Sequence, residues 1–257
     1  MLNEIGLIEF ELARFASADR TLRRGIAILE RTGEAPVALA KLCSSLASLL
    51  TDLNLQLGYA EMLRRRALRI TVQELGPEHP EIRTLLGNLG TTLMARRNYQ
   101  EARHLFEKAR AMLGQTAGER LTRASLTSNL GVVASLTGRP AEAAGHFREA
   151  IAIWDGLVGP LHPDLVRPCL NLARVYLQLG KPELAWEMTE RARAAAARSL
   201  PENHPTSLEV LRAGVAAAKK SGRKAQASAL QRRLRSITPM DASPVGLHVD
   251  VSDLRPE

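Results

Sequence analysis

Small apolar residues return along the chain at a nearly fixed interval. Ala18, Ala60, Ala102, Ala143, Ala185 and Ala227 are separated by 42, 42, 41, 42 and 42 residues. Seven residues after each stands Gly25, Ala67, Ala109, Ala150 or Ala192, with Leu234 in the last place. Seven residues make two helical turns, so each pair lies on one helix face, where small side chains admit a neighbouring helix closely. Twelve residues before the first alanine comes a second landmark, seen as Ile5-Gly6, Leu89-Gly90, Leu130-Gly131 and Leu172-Ala173. It marks another helix with a flat contact face. Gly138, Gly180 and Gly222, five residues ahead of their alanines, mark the turn between the two helices. The predicted unit is helix, turn, helix and a longer loop. It repeats at roughly 1–33, 34–75, 76–117, 118–158, 159–200 and 201–237.

The Leu-Gly pair, turn glycine and paired alanines, in this order, resemble the tetratricopeptide repeat. The 42-residue period and the stretch LGPEHPEIRTLLGNLGTTLMARRNYQEARHLFEKARAML are similar to the kinesin-light-chain variety, in which the loop between helix pairs is lengthened. The resemblance covers residues 1 to about 237 and implies an all-α, right-handed superhelical solenoid of about six antiparallel helix pairs. It carries departures. Phe106 and Phe147 stand between the two alanines, but Leu22, Arg64, Thr189 and Gln231 take that place elsewhere. Ala47-Ser48 and Gly214-Val215 replace the Leu-Gly pair.

Three His-Pro dipeptides stand out, in GPEHP, GPLHP and PENHP. His79 to His162 is 83 residues and His162 to His204 is 42, so all three occupy one station, just before a first helix. Proline suits a first helical turn because its missing N–H would be unpaired there anyway. The histidine can bond a free backbone group at the same place. Equivalent residues of stacked repeats sit about 10 Å apart, too far for neighbouring imidazoles to share an ion. The pattern reads as punctuation rather than as a metal or catalytic site. His104 and His146 read as surface residues of second helices.

Composition narrows the classes further. Alanine and leucine carry the apolar content, aromatic residues make up 4% of the chain, and strand-favouring residues are sparse. Cys43 and Cys169 give no disulfide framework and read as buried small hydrophobes in a reducing compartment. No leader pattern or 18-residue apolar run appears, which points to a soluble, cytoplasmic protein. GRPAEAAG lacks the lysine and preceding strand of a phosphate loop, and neither a Gly-x-Ser-x-Gly elbow nor a His-Glu-x-x-His site occurs. The expectation is a protein without catalysis, metal or cofactor.

The first helix of each repeat is expected to line the inner surface. Asn88, Asn129 and Asn171 stand immediately before the Leu-Gly or Leu-Ala pairs, spaced 41 and 42. Asparagine is a mediocre helix former, so three in register call for a reason. The amide matches the C=O and N–H of an extended backbone. In superhelical repeat proteins an asparagine ladder at the matching place grips peptide, and the resemblance implies the same here; the alternative is that these amides bond a neighbouring helix and fix packing. The same face projects Arg167, Arg174 and Arg212, with Lys219 and Lys220 at its far end. Several cations around one concavity would favour an acidic ligand, although Glu209 shares the face.

The expected partner is therefore a protein or extended peptide with acidic residues, bound by a scaffold that could be the sensor or adaptor part of a larger signalling protein. One alternative is a nucleic-acid-binding solenoid, suggested by the net charge of +8. Aromatic stacking platforms are scarce, with only Tyr176 on the expected groove, which weighs against it. Another is homo-oligomerisation through the N-terminal repeat, because Met1 would fall inside a first helix and leave an open edge. That placement also raises the expectation of a longer repeat protein. Residues 238–257, with three prolines and no helical period, read as a disordered or loosely attached tail, or as a short partner-binding segment.

Overall fold

The structure, a computed structural model, describes residues 1–237. The tail expected at 238–257 lies outside the described residues. The chain divides into two compact units, Met1–Met112 and one beginning at Leu113.

The first unit contains α1 (Leu2–Glu11), α2 (Phe15–Thr32), α3 (Pro36–Asp52), α4 (Leu57–Leu75), α5 (Pro80–Ala95) and α6 (Tyr99–Ala111). The second contains α7 (Ala117–Leu136), α8 (Pro140–Val158), α9 (Val166–Gln178), α10 (Pro182–Ser199), α11 (Pro205–Lys220) and α12 (Lys224–Ser236). A 3₁₀ turn, Pro163–Leu165, leads into α9. No strand occurs among the described residues. Within each unit successive helices pack as hairpins, and the second helix of one hairpin packs on the first helix of the next.

The paired small residues close these contacts. Ala18, Ala60, Ala102, Ala143, Ala185 and Ala227 are all buried, as are Gly25, Ala67, Ala109, Ala150 and Ala192. The glycine of each Leu-Gly pair receives a large side chain from the second helix. A Cβ on Gly90 would stand 2.6 Å from Phe106, and one on Gly131 would stand 2.9 Å from Phe147. Gly6 meets Leu22 in the same way. In the last hairpin Gly214 meets Leu230, so the residue that fills this place is Leu230 rather than Gln231.

Six hairpin turns share one backbone device. Ala13, Asn54, Arg97, Gly138, Gly180 and Gly222 all have positive φ. The next amide donates back across the last helical turn, as in Asn98 N–H to Leu93 O at 2.8 Å and Lys181 N–H to Tyr176 O at 2.8 Å. These bonds occupy carbonyls that the helix end would otherwise leave unpaired.

The His-Pro station is a helix start in all three places. His79 Nδ1 accepts from the Glu81 amide at 3.2 Å, His162 Nδ1 from Asp164 at 3.3 Å, and His204 Nδ1 from Thr206 at 3.1 Å. The proline fills the first helical position each time. At α7, where no His-Pro stands, Thr116 and Glu119 form a reciprocal capping box instead.

Candidate functional site

One rule organises the polar side chains of the first helices: residues one period apart are neighbours. In the first unit Ser45 Oγ donates to Asn3 Oδ1 at 2.7 Å, across α1 and α3. The hydroxyls of Thr51 and Thr92 hydrogen-bond at 3.0 Å across α3 and α5. In the second unit Arg167 on α9 donates to Glu209 on α11 at 3.2 Å.

That last contact belongs to a larger cluster. Arg174, two turns after Arg167 on the same face of α9, also pairs with Glu209. Its second nitrogen, Nη1, donates to Asn171 Oδ1 at 3.3 Å. Two guanidinium groups thus share one carboxylate, and the cluster keeps a net positive charge. Asn171 has its carbonyl oxygen engaged within its own helix, while the two N–H donors of its amide remain available.

Asn129 lies on α7 in the same unit and Asn88 on α5 in the first unit, both half-buried. Neither side-chain amide has a hydrogen-bond partner among the described residues. Arg212, Lys219 and Lys220 are exposed along α11. Among the described residues these three form no ion pair.

In the sequence Glu209 presents only a charge opposing the basic face; its bridging of Arg167 and Arg174 appears in the fold. The period held the signal: Glu209 follows Arg167 by 42 residues. The second helices repeat the theme at a slightly shorter step. Arg191 donates to both oxygens of Asp155 at 2.7 and 2.8 Å, and Arg65 to Glu101 at 2.7 Å, each pair 36 residues apart.

Burial pushes the thiols of Cys43 and Cys169 up to about 11, so both are held as neutral, packed side chains. No cluster of three or more His, Cys, Asp or Glu that could hold a metal occurs among the described residues. Among these residues no helix is long and apolar enough to cross a membrane.

The sequence matches the family model of the tetratricopeptide repeat over residues 56–115 and 122–198. No curated protein matches it. Among solved structures it is similar to a putative kinesin light chain with nearly identical TPR-like repeats from Podosopora anserina, at 25% identity and TM-score 0.64 over 79% of this chain and 95% of that one. BtubC (BKLC) from P. vanneervenii is similar at 22% identity and TM-score 0.71, over 91% of this chain and 92% of that one. A Rap protein complexed with competence and sporulation factor shares the fold at 17% identity and TM-score 0.68, over 91% of this chain and 73% of that one. Six turns of one geometry, glycines that admit a large side chain, and a family match over more than half of the sequence agree: the chain belongs to the tetratricopeptide repeat family.

Proposed function

We propose that the protein is a non-catalytic scaffold whose second unit binds an extended, partly acidic peptide along α7, α9 and α11. Asn129 and Asn171 address the peptide backbone. Arg167, Arg174, Arg212, Lys219 and Lys220 address its carboxylates, and Asn88 plays the same backbone role for a segment bound on the first unit by itself.

The observation that carries this reading is the sharing of Glu209 by Arg167 and Arg174. The pair already holds one carboxylate on the face where a ligand would lie, and its remaining positive charge suits another. The packing alternative for the asparagines predicts amide bonds to a neighbouring helix, whereas Asn171 bonds within α9 and Asn129 has no partner among the described residues.

Fluorescence anisotropy with extended peptides, acidic and neutral, tests it. Wild type should prefer the acidic set, and Asn129→Ala with Asn171→Ala should weaken binding about thirtyfold at unchanged helicity, from two lost hydrogen bonds of about 1 kcal/mol each. Acidic and neutral peptides bound equally well, or a double variant that binds like wild type, would sink the proposal.

A further inference from the structure

The first hairpin leaves uncovered a face that later hairpins bury. Ile8, Leu50 and Thr92 occupy the same station one period apart, yet Ile8 is 55% exposed while Leu50 and Thr92 are fully buried. Val175 and Ala217, at the same station in the second unit, are buried too. The neighbouring positions repeat the contrast: Ile5 and Leu7 are exposed, while Ala47 and Leu49 are buried. The Thr92 hydroxyl shows which way this station points, because its partner Thr51 belongs to the preceding hairpin. The exposed face of α1 therefore has the form of a joint surface, with Leu12 extending it.

Within each unit such a joint is closed by a second helix, as α2 closes on α3 and α10 on α11. The second helix of the last hairpin, α12, has no following hairpin among the described residues. Leu230 and Leu234 on it are only half-buried. Leu234 stands where Gly25, Ala67, Ala109, Ala150 and Ala192 are fully covered, and it offers more apolar surface than any of them.

Charge selects between the ways two copies could meet. Helix α1 carries Glu4, Glu9 and Glu11 and no lysine or arginine, with Glu4 paired to the amino group of Met1. Helix α12 carries Lys224, Arg232, Arg233 and Arg235 and no acid of its own, with Arg233 paired to Glu202. Setting α1 on a second α1 would oppose carboxylates, whereas setting α1 on α12 opposes unlike charges around an apolar centre.

We infer that the uncovered face of α1 is an interface for α12 of a second copy, so that hairpins continue from one molecule into the next. Such an interface is head-to-tail, and it produces rings or open chains rather than a symmetric pair. It is independent of the peptide reading.

Sedimentation of the full chain over a range of concentrations tests it, with circular dichroism to confirm folding. Wild type should rise in mass past a dimer as concentration increases, and should dissociate as salt screens the charges. Ile8→Glu and Arg232→Glu with Arg235→Glu should each be monomeric, because each lacks one half of the joint. Mixed in equal amounts, these two variants should form a one-to-one dimer and nothing larger, since one intact half remains on each. A wild type that stays monomeric to its solubility limit overturns the inference, whether α1 is then covered by residues 238–257 or left bare. An Arg232→Glu, Arg235→Glu variant that still self-associates overturns it in favour of α1 on α1.

Discussion

The guanidinium of Arg64 donates to the hydroxyl of Ser48 at 2.9 Å, in the place where Phe106 covers Gly90 one repeat later. A second nitrogen reaches Ser44 at 3.0 Å, while Nε is buried without a partner among the described residues. Burial dominates this side chain and pulls its pKa down to about 10, against a weaker opposing pull from Asp52. A buried, incompletely bonded cation is a poor substitute for an apolar ring.

Replacing the pair together, Ser48→Gly with Arg64→Phe, should therefore stabilise the protein by about 1–3 kcal/mol in chemical denaturation. The glycine is needed because a Cβ at this station would collide with the ring. Arg64→Phe alone should gain less or lose. Equal stability of wild type and the double variant would mean that the two serine bonds already offset the desolvation of the charge.

The histidine caps are testable one at a time. His204→Ala should cost about 1 kcal/mol, and His204→Asp should keep most of the stability because an aspartate oxygen accepts at the same place. A midpoint shift of about 2–4 °C in thermal melting is the expected size for a chain of this length. If alanine and aspartate behave alike, the imidazole serves the loop rather than the helix.

The two thiols give a pH dependence with a definite sign. Their folded pKa lies above the ordinary value because burial penalises the thiolate, so the stability they contribute is complete below pH 9.0 and is lost as pH rises through about 11. Wild type should lose up to about 2 kcal/mol per thiol over that range, more than a Cys43→Ala, Cys169→Ala variant loses. At pH 8 neither thiol should react with an aromatic disulfide reagent until denaturant is added. Prompt reaction of the native protein would contradict the burial of either residue.

Glu209→Gln removes the carboxylate that Arg167 and Arg174 share. Under the peptide reading, acidic peptides should then bind about three- to tenfold more tightly at low salt, with a steeper loss as salt is added. Weaker binding would identify Glu209 as the residue that holds the arginines in position, rather than as a competitor for them.

Much of the fold was legible because close helix packing demands small residues at a fixed interval, and that demand is written in single letters. The His-Pro starts were legible for the same reason, since a cap is a local interaction within three residues. Arg64 was visible only as a departure from the aromatic pattern. Its burial against Ser44 and Ser48 depends on two residues of another helix, which no periodicity announces. The bridge through Glu209 and the exposure of Ile8 likewise depend on what lies across a joint. Turns at Ala13, Asn54 and Arg97 carry no glycine to announce them, because a backbone amide bond to the preceding helix imposes positive φ on other residues too.

Those turns are divided unevenly. All three hairpins of the second unit turn on glycine, and none of the first unit's do. A side chain in the left-handed region costs about 1 kcal/mol where glycine costs little, with asparagine the most tolerant. The first unit thus holds its corners under tension and also contains the buried Arg64. On heating, the amides of α1 to α6 should exchange their hydrogens before those of α7 to α12, giving the chain a built-in order of letting go.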